Sequence, residues 1–237
     1  MGRRNLTSRS DLEQEVALVA PEAEIVKVMT YEERFGTDSR GVFIVAGGED
    51  GSELSTPTQS LILTSLRDRV PLDVNVYLSS PSILPVESVT SISWNPQETT
   101  TFTDTLAGQI QSVLVDYINP VQTEIGNNLS VSAVLREILD LPFVQEVRTL
   151  DLKEMLLDSS ITGPTDGICG RFLGTESDDG TVCNYSYSQI VTKNSTEPLV
   201  VANSTSGFKL YRSIVSLVSI VDYSVLTYTY DNLYNVV

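Results

Sequence analysis

Histidine does not occur anywhere in the 237 residues. Its absence removes the commonest general base, proton shuttle and metal ligand. Cysteine is almost as scarce, with only Cys169 and Cys183. Two are too few for a disulfide framework, and without histidine they are too few for a structural zinc site. They are expected as buried free thiols, with pairing across their short loop as the alternative in an oxidising setting. Positive charge is also in short supply: 15 basic residues face 31 acidic ones, a formal net charge of -16. A field of that sign repels phosphate backbones, so nucleic acid is not an expected partner. The one basic cluster, Arg3, Arg4 and Arg9, reads as solvated or paired with acidic neighbours.

Long apolar runs are missing too. Nothing approaches the roughly 20 apolar residues that a membrane span needs. The opening MGRRNLTSRSDLEQE has no apolar core of the kind a secretory signal carries. The sequons at Asn5, Asn128, Asn184, Asn194 and Asn203 therefore carry little weight as glycosylation sites.

Reactive motifs are equally thin. No G-x-S-x-G elbow is present, and a serine nucleophile would need lysine or a carboxylate in place of histidine. The glycines of GGEDGSEL (residues 47–54) lack the lysine and helix-opening serine of a phosphate loop, so they read as a turn. The carboxylate pairs Glu32/Glu33, Glu49/Asp50 and Asp178/Asp179 sit in turn-like surroundings and are read as solvated. Glycosidase chemistry would need carboxylates from separate elements. Asp178, Asp179 and Gly180 lack the alternating oxygen ligands and closing glutamate of a calcium loop. No catalytic residue, cofactor or metal is expected.

What is present is an ordinary globular composition, 41% hydrophobic and 19% charged, which excludes wholesale disorder and supplies a real core. Ser10 and Glu13 suggest a capping box for a first helix whose face is Leu12, Val16 and Val19, ending at Pro21. Strands follow at Ile25 to Met29 and Val42 to Ala46, separated by the polar turn YEERFGTDSRG. Thr56, Pro57 and Gln59 open a second helix running to about Val70. Pro71 then delivers the chain into a strand where Val74, Val76 and Leu78 alternate with polar residues. A strand is expected from Pro85 to Trp94. Thr103 caps a third helix with Leu106, Ile110, Val113, Leu114 and Tyr117 inward, ended by Asn119-Pro120. Ser130 or Ser132 opens a fourth, with Val131, Val134, Leu135 and Ile138 inward, and Val144 to Leu152 closes the series as a strand.

Beyond Leu152 the composition shifts. Residues 158–207 hold turn-rich segments. The last 30 residues are β-branched, aromatic and free of proline, a composition suited to pleated surfaces. Phe208 to Tyr230 is read as strands turning near Val221 to Tyr223. Five of the ten tyrosines crowd this end: Tyr211, Tyr223, Tyr228, Tyr230 and Tyr234. With Phe208 they are the candidate protein-interface residues, because an uncovered hairpin offers an adhesive edge. Core filling is the competing reading. The expected fold class is α+β: helices on a mixed or antiparallel sheet over the first two-thirds, with a β-rich C-terminal region. The expected division is residues 1–152 and 153–237.

Three stretches carry a resemblance. RRNLTSRSDLEQEVALVAPEAEIVKV, STPTQSLILTSLRDRVPLDVNVYLSSPSILPVESV and LSVSAVLREILDLPFVQEVRTLDL follow one another in the order typical of the baseplate J-like family of contractile phage tails. The middle stretch is the most typical, with a helix, an arginine-containing step to proline, and a V-x-V strand. The resemblance covers residues 3–152 and implies a non-enzymatic structural subunit of the baseplate wedge, located in the virion tail. The partners it implies are other wedge and hub proteins and the tail tube or sheath, with self-association in a six-fold assembly. The alternative is a receptor- or carbohydrate-binding module at the tail tip, using the tyrosine-rich strands and the DDG turn as its ligand surface.

Overall fold

The computed structural model describes residues 8–36, 40–97, 101–157, 185–201 and 203–231. Cys169, Cys183, the Asp178–Gly180 turn and Tyr234 lie outside the described residues. The fold is α+β with a strand-rich C-terminal part, as the sequence patterns imply. Two compact units are built from interleaved stretches of chain. The first draws on Met1–Ile83, Pro120–Asn127 and Val201–Gly207, the second on Leu84–Asn119, Asn128–Val200 and Phe208–Val237. Compactness thus follows contacts between distant stretches, whereas the expected division at residue 152 follows chain order.

In the first unit the elements are α1 (Arg9–Val19), β1 (Ile25–Thr30), α2 (Tyr31–Phe35), β2 (Gly41–Gly47), α3 (Thr56–Arg67) and β3 (Asn75–Ser79). The sheet order is β1-β2-β3, with β1 antiparallel and β3 parallel to β2. A parallel pair needs a crossover, and α3 provides it. The period of two along β2 divides its side chains between two cores. Ile44 and Ala46 join Val28, Val76 and the helix residues Leu12, Val16, Ile62 and Leu66. Phe43 and Val45 join Ile25, Met29 and Ile125 on the other side. That double burial explains why β2 reads as a continuous apolar run.

Several caps differ from the sequence reading. The box of α1 is Ser8 with Asp11, two residues ahead of the expected Ser10 and Glu13. Both pairs satisfy the S-x-x-acid pattern, so local chemistry alone does not choose between them. Ser55, rather than Thr56, caps α3, and Gln59 donates to the Leu54 carbonyl and the Glu53 carboxylate. The supposed polar turn after β1 is the helix α2. Thr30 and Glu33 form its capping box, and Gly36 closes it in the left-handed conformation at φ 68°. The Thr30 backbone N–H, helped by Arg9, holds the Glu33 carboxyl below its ordinary range. What the turn reading missed is aromatic packing. Tyr31 lies against Phe35 and Tyr77, Phe35 meets Phe43 edge-on, and Arg34 lies over both phenylalanine rings.

Helices α1 and α3 are held together by a buried carboxylate. Glu15 is 5% exposed; the Ser65 hydroxyl donates to its Oε1, and Arg69 donates to Oε2 at 2.5 Å. The arginine before Pro71 therefore serves the helix pair inside this chain. By contrast, the Arg9–Glu33 and Arg40–Asp73 pairs are largely exposed.

The second unit contains α4 (Thr103–Tyr117), α5 (Val131–Leu139) and a five-stranded sheet in the order β6-β5-β4-β7-β8. The strands are β4 (Ser82–Trp94), β5 (Val144–Leu157), β6 (Tyr185–Thr192), β7 (Ser206–Ser219) and β8 (Val225–Asp231). Strand β6 arises within the stretch read as turns. Helix α5 packs on β5, and α4 reaches α5 and β8. Leu106, Ile110, Leu114, Val134 and Ile138 supply the buried helical faces, and Ile92, Leu150, Leu152, Val215 and Leu217 are buried strand residues. On β4 the buried Glu87 carboxylate lies 3.7 Å from Lys153 on β5 and 3.5 Å from Arg212 on β7. Three neighbouring strands are thereby joined through one acid. Strand β7 lies inside the sheet, so removing residues 208–237 would take out an internal strand along with the hairpin.

Substitution of Glu15 by alanine leaves the Arg69 guanidinium half-buried without its acid. We expect a loss of about 2 kcal/mol in unfolding free energy. Glu33→Ala should cost only about 1 kcal/mol, because both its capping bond from Thr30 and its pair with Arg9 face solvent. Chemical denaturation of the two variants checks the contrast.

Candidate functional site

The C-terminal hairpin holds the residues singled out as an interface. Strands β7 and β8 pair antiparallel without a register break, from Arg212 opposite Asp231 to Val218 opposite Val225. The turn lies across residues 220–224, where the alternation of β-branched residues is broken by Asp222 and Ser224. Ser219 organises it. Its N–H donates to the Ser224 carbonyl at 2.9 Å, its carbonyl accepts from the Tyr223 N–H at 3.1 Å, and its hydroxyl accepts from the N–H groups of Val221 and Asp222. Asp222 in turn accepts from the backbone and hydroxyl of Ser224. The Ser219 hydroxyl first, and then Ser224, hold the Asp222 carboxyl down to about 2.

The six expected interface residues have different fates. Phe208 is fully buried and belongs to the core, which corrects its assignment to a surface. Tyr211 is half-buried, with the Lys209 ammonium 5.8 Å from its ring centre. Tyr228 and Tyr230 are half-buried and tied to the start of α4. The Tyr228 hydroxyl meets the Thr103 hydroxyl at 2.6 Å, and the Tyr230 hydroxyl donates to the Asp104 carbonyl at 3.4 Å. Burial, with the neighbouring Tyr228 and Asp104, pushes the Tyr230 phenol above its ordinary value, so it remains a donor. Thr103 is accordingly the first residue of α4 and lends its hydroxyl to the hairpin, while Phe102 occupies the cap position. Of the expected interface residues that are described, Tyr223 is the exposed one, at 73%. Tyr234 lies outside the described residues.

Tyr223 also adopts φ 58°, a left-handed conformation that a bulky residue rarely takes. Around it Ile220, Val221, Val225 and Leu226 are exposed, so the hairpin tip is an apolar patch. The sequence reading missed these four aliphatic residues. The signal was available in the uninterrupted β-branched run on both sides of the turn, but nothing in that run tells a core-facing residue from one beyond the last helix contact. No group of three or more acidic or cysteine side chains is placed to hold a metal ion among the described residues, and no helix there is long and apolar enough to cross a membrane.

The chain matches no protein-family profile and no curated protein. It does match a chain in the cryo-EM structure of the anti-feeding prophage baseplate, six-fold symmetrised, with a TM-score of 0.51 and 13% identity. The match covers 88% of this chain and 38% of that one, so this chain spans under two-fifths of the other's length. At this identity the likeness is one of fold alone.

The turn carboxylate gives a pH test. Asp222 should titrate at about 2 by NMR, against about 4 in an unfolded chain. A depressed folded value means that its contribution to the hairpin is complete above about pH 4 and is lost as pH falls through 2. Ser219→Ala should move the titration back towards 4.

Proposed function

We propose that this chain is a structural subunit of a contractile-tail baseplate wedge, working through protein–protein contacts and without catalysis. The observation that carries the reading is the fold shared with the anti-feeding prophage baseplate chain across 88% of this chain. The order of helix, proline step and V-x-V strand in residues 3–152, which resembles the baseplate J-like family, supports it independently. On this reading residues 1–152 form the baseplate J-like part and residues 153–237 the interaction part. The partners are further wedge and hub proteins and the tail tube or sheath, around a six-fold axis in the virion.

The physical case rests on stiffness and contact. A machine under load needs elements that transmit force without rearranging, and a sheet strand buried on both faces does so because dense packing leaves little room to shift. Rings also need two unlike surfaces on each subunit, since the contact repeats by rotation. The exposed apolar tip of the β7–β8 hairpin is one such surface. There Tyr223 occupies a conformation that glycine would adopt at lower cost, and residues held in such conformations cluster at functional sites.

The tip can therefore be tested without damaging the fold. Tyr223→Gly should leave the protein as stable as the parent or more stable, by up to about 1 kcal/mol, because the strained conformation suits glycine. The same variant, and more strongly Tyr223→Gly combined with Val221→Asp, should be depleted from assembled particles in electron micrographs and in pelleted tails. Full incorporation of the double variant would overturn the interface role of the tip.

A further inference from the structure

Among the described residues the two sheets present four outer edges, and three of them are guarded. On β1 the Val28 N–H donates to the Glu13 carboxylate of α1 at 3.4 Å. Strand β3 is only five residues long. Strand β6 carries an extra residue, Ser188, where its register with β5 shifts between Glu154 and Met155. Short strands, bulges and covering groups are the usual protections of a sheet edge.

Among the described residues, strand β8 has none of these. It pairs with β7 over seven residues without a shift, ends the sheet order, and carries no charge, proline or glycine from Val225 to Tyr230. The direction of its backbone groups follows from the turn. Ser219 and Ser224 are a hydrogen-bonded pair. Alternation along an antiparallel ladder then makes Leu226, Tyr228 and Tyr230 bond inward to β7. Val225, Thr227, Thr229 and Asp231 aim their N–H and C=O groups at the open side. Among the described residues no strand lies there.

We propose that β8 pairs antiparallel with β8 of a second copy of this chain, joining two five-stranded sheets into one. The strand is self-complementary when the two-fold axis passes beside Tyr228. Tyr228 then meets its own copy, Thr227 faces Thr229, and Leu226 faces Tyr230, with all seven residues paired. The outward residues fall opposite one another, as the ladder requires. Aromatic, aliphatic–aromatic and Thr–Thr pairs are favourable cross-strand neighbours, and no like charges meet between Val225 and Tyr230. From Val225 to Tyr230 the strand offers no charge with which to select a basic or acidic partner, whereas its own sequence fits it. The inference stands on the sheet edge alone and holds whether or not the chain works in a baseplate.

Sedimentation equilibrium of the full-length chain tests this. The expected species is a dimer of about 52 kDa, twice the 26.0 kDa of one chain. Because each copy carries a net charge of -16, dimerisation should strengthen as salt screens their repulsion. Thr227→Pro removes an outward N–H and leaves the β7 backbone ladder intact, losing on that side only the hydroxyl contact with Ser216, and should weaken the dimer by about tenfold or more at a nearly unchanged thermal midpoint. If that proline lowers the midpoint, a charge pair decides. T227D/T229D sets like charges across the two-fold and should give monomers, while T227K/T229D sets opposite charges there and should keep the dimer. A parent chain that stays monomeric at every concentration and salt overturns the proposal. So does association that weakens with salt, or a dimer indifferent to all three variants.

Discussion

Every strand must place its backbone N–H and C=O groups on both sides, and that demand organises this protein more than any single side chain. It makes α3 a crossover, because β2 and β3 run parallel and no short turn can join them. It makes β7 an internal strand, fed by a long return of the chain, so the second unit is assembled from three separate stretches. It also explains why Glu13 reaches across to the Val28 N–H: a side chain there does the work of a missing strand. Where the demand is met within the chain the structure is closed. Along β8, among the described residues, no strand meets it on the outer side.

Charge acts differently inside and outside. Among the described residues the fully buried acids are few: Glu15 between two helices, and Glu87 between three strands. Each has basic partners at contact distance, as removal from water requires. Most of the remaining excess of acid has no such task. It keeps copies apart at low ionic strength and makes any contact between them depend on neutral surface. The aliphatic residues around Tyr223 and the stretch Val225 to Tyr230 are such surfaces, and both belong to the same hairpin.

The tyrosines show how one residue type divides its labour. Tyr228 and Tyr230 send their hydroxyls to the first turn of α4, so they orient the hairpin. Tyr223, beyond that anchor, projects from a turn stiffened by Ser219 and Asp222. A side chain held on a rigid turn loses little freedom on meeting a partner. The anchored and the exposed tyrosines are therefore parts of one hairpin.

Local chemistry was legible from the residues alone. The periods of the helices and strands, the proline stops, the hairpin and the α+β class all follow from side-chain spacing, because burial of one face imposes a period of 3.6 or 2 wherever it occurs. Tertiary structure decided the rest. It chose Ser8 over Ser10 as a cap, turned YEERF into a helix by stacking its rings on Phe43 and Tyr77, and placed Phe208 in the core while leaving Tyr223 in solvent. It also set the strand order that leaves β8 at an edge. Those outcomes depend on which distant segments meet, and a period along the chain records that a face is covered without recording what covers it.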